Sequence, residues 1–345
     1  MRSRREAPDH AVIPARTKIS LVIPAYDEES NVEVLRRAIV GLFDANVAYD
    51  FELVLVDDHS ADRTGELVKA WAAEDPRIRY VRLARNSGSH AALYAGLHEC
   101  TGDAAAFLAA DMQDPPEIVI SMIEHWKGGS DVVWAVRKGR PGEKMSVLAF
   151  SRLYHLVMRR FVLSNMPEGG VDFFLMGRNV MDAYMTIPEK NADFMNMVLW
   201  MGFRQSFIPY VKVARASGVS KWTFSKKVKH FVDAVISFSF VPIRTMSIVG
   251  ALFAFAGFAY ALTVVIGRIL GFVIAGAGFA ALMTVLLMGQ GFIMLMLGVM
   301  GEYVWRTLDE ARRRPRYIVE ERQGGSVPPQ IRPDSPTACA DPPGS

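Results

Sequence analysis

Between Arg244 and Glu302 the chain carries one charged residue, Arg268. It divides the stretch into Met246 to Gly267 and Ile269 to Gly301, both uncharged throughout. A bilayer core about 30 Å thick is crossed by roughly 20 apolar residues in helical form, so the two stretches read as a transmembrane hairpin. The second is longer than one span requires, which assigns Ile269 to Gly278 to the turn and leaves spans at 246–267 and 279–301. Lys226, Lys227, Lys229 and Arg244 precede the first span, and Arg306, Arg312, Arg313, Arg314 and Arg316 follow the second. By the positive-inside rule both ends of the hairpin face the cytoplasm.

The preceding residues follow a different pattern. Short apolar runs at Ile19–Ile23, Phe51–Val56, Ile78–Leu83, Ala104–Ala110 and Asp131–Val136 alternate with segments whose apolar positions have helical spacing, such as Val32, Leu35, Ile39 and Leu42. That alternation predicts an α/β domain with a mostly parallel sheet wrapped by helices. Ser30-Asn-Val-Glu33 is a capping-box pattern for the first helix. Helices are also expected near 65–73, 90–99, 116–126 and 192–200, and a strand from Gly170.

The Ala104–Ala110 run ends in Asp111-Met-Gln113-Asp114-Pro-Pro116. Carboxyl ends of strands are where open α/β sheets bind ligands, and hard divalent cations take oxygen ligands. Asp111 and Gln113 are therefore candidate metal and diphosphate residues. No GxGxxG follows the first strand and no GxxxxGK[ST] occurs, so neither a dinucleotide fingerprint nor a P-loop is present. Cys100 and Cys339 are too few for a zinc cluster, and the seven histidines have no ligand spacing. A net charge of +3 on spread Lys and Arg gives no footprint for nucleic acid.

Beyond Val136 the basic residues Arg137, Lys138, Arg140 and Lys144 precede an amphipathic stretch from Val147 to Leu163. A second one, 223–243, lies directly before the first span and reads as an interfacial helix. The expected organisation is a flexible N-terminus (1–16) with no secretory signal, a catalytic domain (17–222), the interfacial helix (223–243), the hairpin (244–301), a basic juxtamembrane segment (302–322) and a disordered Pro/Gly/Ser-rich tail (323–345).

Several segments in order resemble glycosyltransferase family 2: Val22-Ile-Pro-Ala-Tyr-Asp-Glu-Glu29, Val56-Asp-Asp-His-Ser-Ala-Asp-Arg-Thr64, Arg85-Asn-Ser-Gly88 with Ala95-Gly96, and Ala109–Pro116. The hairpin, Arg215-Ala-Ser-Gly-Val-Ser-Lys221, Gly301-Glu-Tyr303 and Arg314-Pro-Arg-Tyr-Ile318 resemble its polyprenyl-phosphate subgroup. The resemblance implies a GT-A fold, a nucleotide diphosphate sugar as donor (a UDP-sugar), a polyprenyl phosphate as acceptor (undecaprenyl phosphate), and transfer with inversion. It also implies Mg2+ or Mn2+ and a multi-pass protein of the bacterial inner membrane, with its catalytic domain and both termini cytoplasmic. Homo-oligomerisation is left open.

By the same resemblance, Pro24, Tyr26, Glu28, Val56, Asp58, Ala110, Asp111, Gln113 and Lys190 are expected at the nucleotide sugar, and Asp111 and Gln113 at the metal. Asp111, Arg137, Arg215 and Lys221 are expected to carry the chemistry, the three basic residues around the diphosphate and acceptor phosphate. Asp114 and Asp172 are candidates to orient metal or acceptor, or ordinary capping residues. His59 stands where the family usually has Gly, and Ala109 replaces the first acid of the usual Asp-X-Asp. Two other readings are a lipid-phosphate binding or translocation partner derived from such an enzyme, and a processive polysaccharide synthase. The latter's Gln-X-X-Arg-Trp segment and additional spans do not occur here.

Overall fold

The computed structural model describes residues 16–137, 171–190, 193–211, 241–270 and 278–325, with 156, 158–160, 166–167 and 236 as isolated positions. The chain runs β1 (Thr17–Ala25), α1 (Glu29–Ala45), β2 (Tyr49–Asp57), α2 (Thr64–Glu74), β3 (Ile78–Leu83), α3 (Ser89–Glu99), β4 (Ala104–Phe107), α4 (Ile118–Lys127) and β5 (Val132–Arg137). It continues through β6 (Val171–Gly177), α5 (Arg178–Met185), α6 (Phe194–Trp200), β7 (Gln205–Tyr210), α7 (Val241–Ile269), α8 (Gly278–Ala311) and β8 (Val319–Gln323).

The strands form one sheet in the order β7-β5-β6-β4-β1-β2-β3-β8. β1 pairs in parallel with β2 and β4, β2 with β3, and β5 with β7. β6 runs antiparallel between β4 and β5, and β8 antiparallel along β3. Apolar side chains pack on both faces. Ile19, Leu21 and Ile23 of β1 meet Leu35 and Ile39 of α1, Trp71 of α2 and Met122 of α4 on one side. On the other, Val22, Val56 and Phe107 meet α3, α5 and α6. Burial on both faces is why β1 and β2 read as continuous apolar runs rather than alternating ones. Gly96 of α3 lets that helix approach closely, since a Cβ there would lie 3.2 Å from Val56 Cγ2 and nearer still to Val22.

Four expectations are corrected. Helix α1 begins at Glu29, with Glu28 at its N-cap position, and Ser30 does not cap it. The amides of Glu28 and Glu29 donate instead to Thr64 Oγ1 (2.8 Å) and Asp62 Oδ2 (3.1 Å), so a neighbouring loop replaces the local capping box. Strand β4 ends at Phe107 rather than Ala110, and Asp111 lies in the following turn. The basic segment 302–322 is not a separate unit, because α8 continues to Ala311 and Val319–Gln323 joins the sheet. Gln323, assigned to the tail, is the last residue of that strand.

Helices α7 and α8 span 29 and 34 residues, about 44 and 51 Å at roughly 1.5 Å per residue. They touch through Phe253 and Phe292, whose ring centroids are 4.5 Å apart, and near Gly250, where a Cβ would meet Met296 Cε at 3.2 Å. Among the described residues one helix, at Ile243–Tyr260, is long and apolar enough to cross a membrane. The expected amphipathic stretch 147–163 and interfacial helix 223–243 lie largely outside the described residues.

Candidate active site

The carboxyl ends of β4, β1 and β2, three neighbouring strands, carry the acids singled out from the sequence. After β1 the chain turns through Tyr26, Asp27 (φ +49°) and Glu28. This turn is bonded to the loop after β2: the amide of Asp27 donates to Ser60 Oγ (3.0 Å) and the amide of Ala61 to Asp27 Oδ1 (2.8 Å). Pro24 is half-buried, Tyr26 is exposed, and Glu28 accepts from Asn31 Nδ2 at 2.6 Å.

Asp57 and Asp58 end β2 with different tasks. Asp57 is fully buried and accepts from Ser60 N (2.7 Å), Tyr80 Oη (2.8 Å) and Arg82 Nη1 (2.6 Å). Burial, then the bond to Asp57, pushes the Tyr80 hydroxyl above its ordinary pKa. Asp58 accepts from the amides of Ser87 (2.7 Å) and Gly88 (2.8 Å), which ties the β3–α3 loop to the strand end. Burial raises the Asp58 carboxyl above its ordinary range despite those bonds. A carboxylate held in this way at a strand end has the electrostatics typical of functional sites. His59 adopts φ +64°, the left-handed region that favours glycine, and its Nδ1 lies 3.1 Å from the Leu83 carbonyl oxygen.

Beyond β4, Asp111, Met112 (φ +56°) and Gln113 make a turn in which Asp111 Oδ1 accepts from Gln113 N at 3.2 Å. Asp114 is buried and accepts from Tyr210 Oη at 2.6 Å. It therefore anchors the turn to β7. Arg137 at the end of β5 stands opposite Tyr210 in the parallel register, which brings it beside that anchor.

Val56 and Ala110 are buried in opposite cores, so neither side chain lines a ligand surface and only their backbone can serve. Lys190 lines one cavity with Arg85 and Ser87 of the loop after β3, and its amide donates to Glu310 Oε1 (2.6 Å) and its Nζ to the Asp309 carbonyl (3.5 Å). Arg215, Lys221 and the side chain of Asp172 lie outside the described residues. Sequence reasoning missed Asp57, Tyr80 and Arg82. The acidic doublet was visible, but which acid bonds Tyr80 and Arg82 and which the β3–α3 loop depends on strand register.

No group of three or more His, Cys, Asp or Glu side chains that could hold a metal occurs among the described residues. The donor set of Asp111 carboxylate and Gln113 amide oxygen fits a hard cation that completes its shell with substrate phosphates and water. Cys100 is buried, and burial pushes its thiol up to about 12, so it offers no nucleophile.

A strand-end site of oxygen donors is knit from three loops of the α/β sheet, and comparison supplies the family. Residues 20–184 match the family model for glycosyl transferase family 2. The chain is 33% identical over 305 residues to the uncharacterized glycosyltransferase YkcC of Bacillus subtilis (strain 168), covering 88% of this chain and 94% of that one. It is 31% identical over 303 residues to the prophage bactoprenol glucosyl transferase homolog of Escherichia coli (strain K12), covering 88% and 98%. With the bactoprenol glucosyl transferase of Shigella phage SfX it shares 30% identity over 306 residues, covering 89% and 100%. The chain belongs to glycosyltransferase family 2 and is an enzyme of the transferase class.

Proposed function

We propose that the protein transfers a sugar from a nucleotide diphosphate sugar, a UDP-sugar, to the phosphate of a polyprenyl carrier, undecaprenyl phosphate, at the cytoplasmic face of a bacterial inner membrane, with inversion. The observation that carries this reading is the attachment of a family 2 domain to two long paired helices with uncovered apolar sides. Phe255 and Phe258 of α7 are more than two-thirds exposed, a degree that no apolar side chain of the described strands reaches. Such a surface is suited to lipid, and it supports reading α7 and α8 as the two spans. The names of the bactoprenol relatives point to the same acceptor.

In this reading Tyr26, Glu28 and the Asp58 loop hold the nucleoside end of the donor. Asp111 and the Gln113 amide oxygen would hold Mg2+ or Mn2+, which when bound would neutralise the charge of a leaving diphosphate. Ala109 leaves one fewer carboxylate, a number magnesium sites tolerate when substrate phosphates supply ligands. Arg137, Arg215 and Lys221 draw the acceptor phosphate in against the charge of the donor. Arg offers bidentate contact and Lys a point charge. A phosphate monoester with a second pKa near 6 is largely dianionic at pH 7, so the acceptor needs no strong general base.

The test is transfer of radiolabelled sugar from a panel of nucleotide sugars to undecaprenyl phosphate in membranes containing the protein, with and without Mg2+ or Mn2+. A metal-dependent, solvent-extractable product from one donor is expected. Absence of product from every donor, with the lipid phosphate still bound, would overturn transfer in favour of a binding or translocation role.

A further inference from the structure

The last strand runs out of step with its neighbour at one point. β8 pairs with β3 through Tyr80 opposite Gln323, Val81 opposite Arg322 and Arg82 opposite Glu321, but Leu83 faces Val319, so Glu320 is an extra residue in the ladder. Pairing resumes past the bulge, where the amide of Ala84 donates to the Ile318 carbonyl at 2.8 Å. Bulges re-aim side chains and gather beside functional sites. Strict alternation would send Glu320 to the same face as Arg322, which bonds Glu99 of α3 at 2.8 Å. Instead two consecutive acids meet partners on the α2 face. Glu321 pairs with Lys69, and Glu320 Oε2 accepts from Arg82 Nε at 2.9 Å.

The re-aimed carboxylate reaches the loop after β2. Arg82 bonds Glu320 through Nε, Asp57 Oδ2 through Nη1 (2.6 Å) and the Ser60 carbonyl through Nη2 (3.2 Å). Partners on three nitrogens fix the plane of the guanidinium. Glu320 Oε2 also lies 3.7 Å from Nδ1 of His59, the loop residue with φ +64°. Ser60 in turn accepts from the amide of Asp27 through its hydroxyl, at 3.0 Å. The two turns that flank Asp58 are therefore tied to a strand that starts eight positions after α8 ends.

We infer that Glu320 and Arg82 are positioning residues for the donor: the bulge of β8 clasps the Asp58-His59-Ser60 segment in the shape that accepts the nucleoside. Neither side chain need touch the nucleotide. The effect therefore falls on donor affinity and leaves the transfer step alone. This rests on the reading of the Asp58 loop as the nucleoside site. It adds that the segment beyond the last long helix, remote in sequence from that loop, sets how well the loop binds.

The test uses the full-length protein in detergent. Wild type, Glu320→Gln, Glu320→Lys and Glu321→Lys are titrated with UDP and with GDP by calorimetry in the presence of Mg2+ or Mn2+. Glu321→Lys makes the same charge change on the same strand but at the acid that bonds Lys69, so it controls for loosening of β8. Glu320→Lys is expected to weaken the bound nucleotide about fivefold, less than a fully buried charged contact would give because Glu320 is half-exposed. Glu320→Gln keeps an acceptor oxygen for Arg82 and retains most of the affinity, and Glu321→Lys retains wild-type affinity. In the transfer assay KM for the donor rises by the same factor in Glu320→Lys while kcat stays within twofold. Amide hydrogen exchange without nucleotide supplies a second readout: residues 58–62 exchange faster in Glu320→Lys, with β1 and β2 still protected. Equal nucleotide affinity in wild type and Glu320→Lys, or an equal loss in Glu321→Lys, overturns the clasp and leaves the nucleoside site standing. Failure of the wild type to bind either nucleotide overturns both.

Discussion

Arg82 holds Asp57 through a 2.6 Å contact from Nη1 to Oδ2, and the same guanidinium turns its Nε to Glu320 Oε2 at 2.9 Å. A residue of the last strand is thereby linked, through one arginine, to the fully buried acid that ends β2. Arg82 Nη2 also donates to the Ser60 carbonyl (3.2 Å), so the loop after β2 is fixed from both sides. The C-terminal strand thus braces the proposed nucleotide loop.

Asp57→Asn leaves Arg82 without its inner partner and removes one acceptor of the Ser60, Tyr80 and Arg82 set. Breaking a buried pair by removing one charge costs about 3 kcal/mol, the lower end of the usual range because Arg82 keeps Glu320. Denaturant unfolding in detergent measures it, and a loss below about 1 kcal/mol would mean that the pair is solvent-screened.

Asp111→Ala removes the one carboxylate proposed to hold the divalent cation. Sugar transfer is expected to fall at least about 100-fold, in keeping with the several kcal/mol such a cation contributes to charge stabilisation. Unchanged transfer at saturating metal would show that the cation is held elsewhere. Circular dichroism should be unaltered, because the side chain is half-buried in a turn.

Gly96→Ala forces a methyl group between α3 and β1, against Val22 and Val56. Overpacking of this kind costs about 2 kcal/mol. Gly41→Ala, where nothing lies within 4 Å of the added carbon, is the matched control and should not destabilise. Thermal unfolding of the two variants side by side separates packing from helix propensity.

The His98 imidazole is held below its ordinary pKa, first by burial, although its Nδ1 lies 3.1 Å from the Tyr94 carbonyl oxygen. Its ring packs against Tyr94 (4.6 Å) and Tyr317 (6.2 Å). A base with a depressed folded pKa binds its proton more readily when unfolded, so its contribution to stability is lost as pH falls through about 6.5 toward the folded value. Glu52 behaves likewise in a lower window: its folded pKa lies below the ordinary carboxylate value, so its stability is lost only as pH falls through that folded pKa. Unfolding midpoints between pH 8 and 5 should decline in the wild type, and more shallowly in His98→Gln.

The alternation of apolar runs with helical spacing set the α/β class, and the length of the uncharged C-terminal stretches set two long helices, because burial on both faces and apolar length are properties of local sequence. The order of motifs also gave the family, and with it Asp58, Asp111 and Gln113 at strand ends. What local sequence could not decide was contact between distant segments. Val319-Glu-Glu-Arg-Gln323 has no alternating apolar pattern, and it is a strand because β3 offers it a free edge and Glu99, Arg82 and Lys69 offer ion pairs. The bonding of Asp57 to Tyr80 and Arg82, the bonding of Asp58 to the β3–α3 loop, and the burial of Val56 and Ala110 likewise follow from strand register and chain return. These are set by which residues the packed sheet brings side by side, a relation that no stretch of the chain contains by itself.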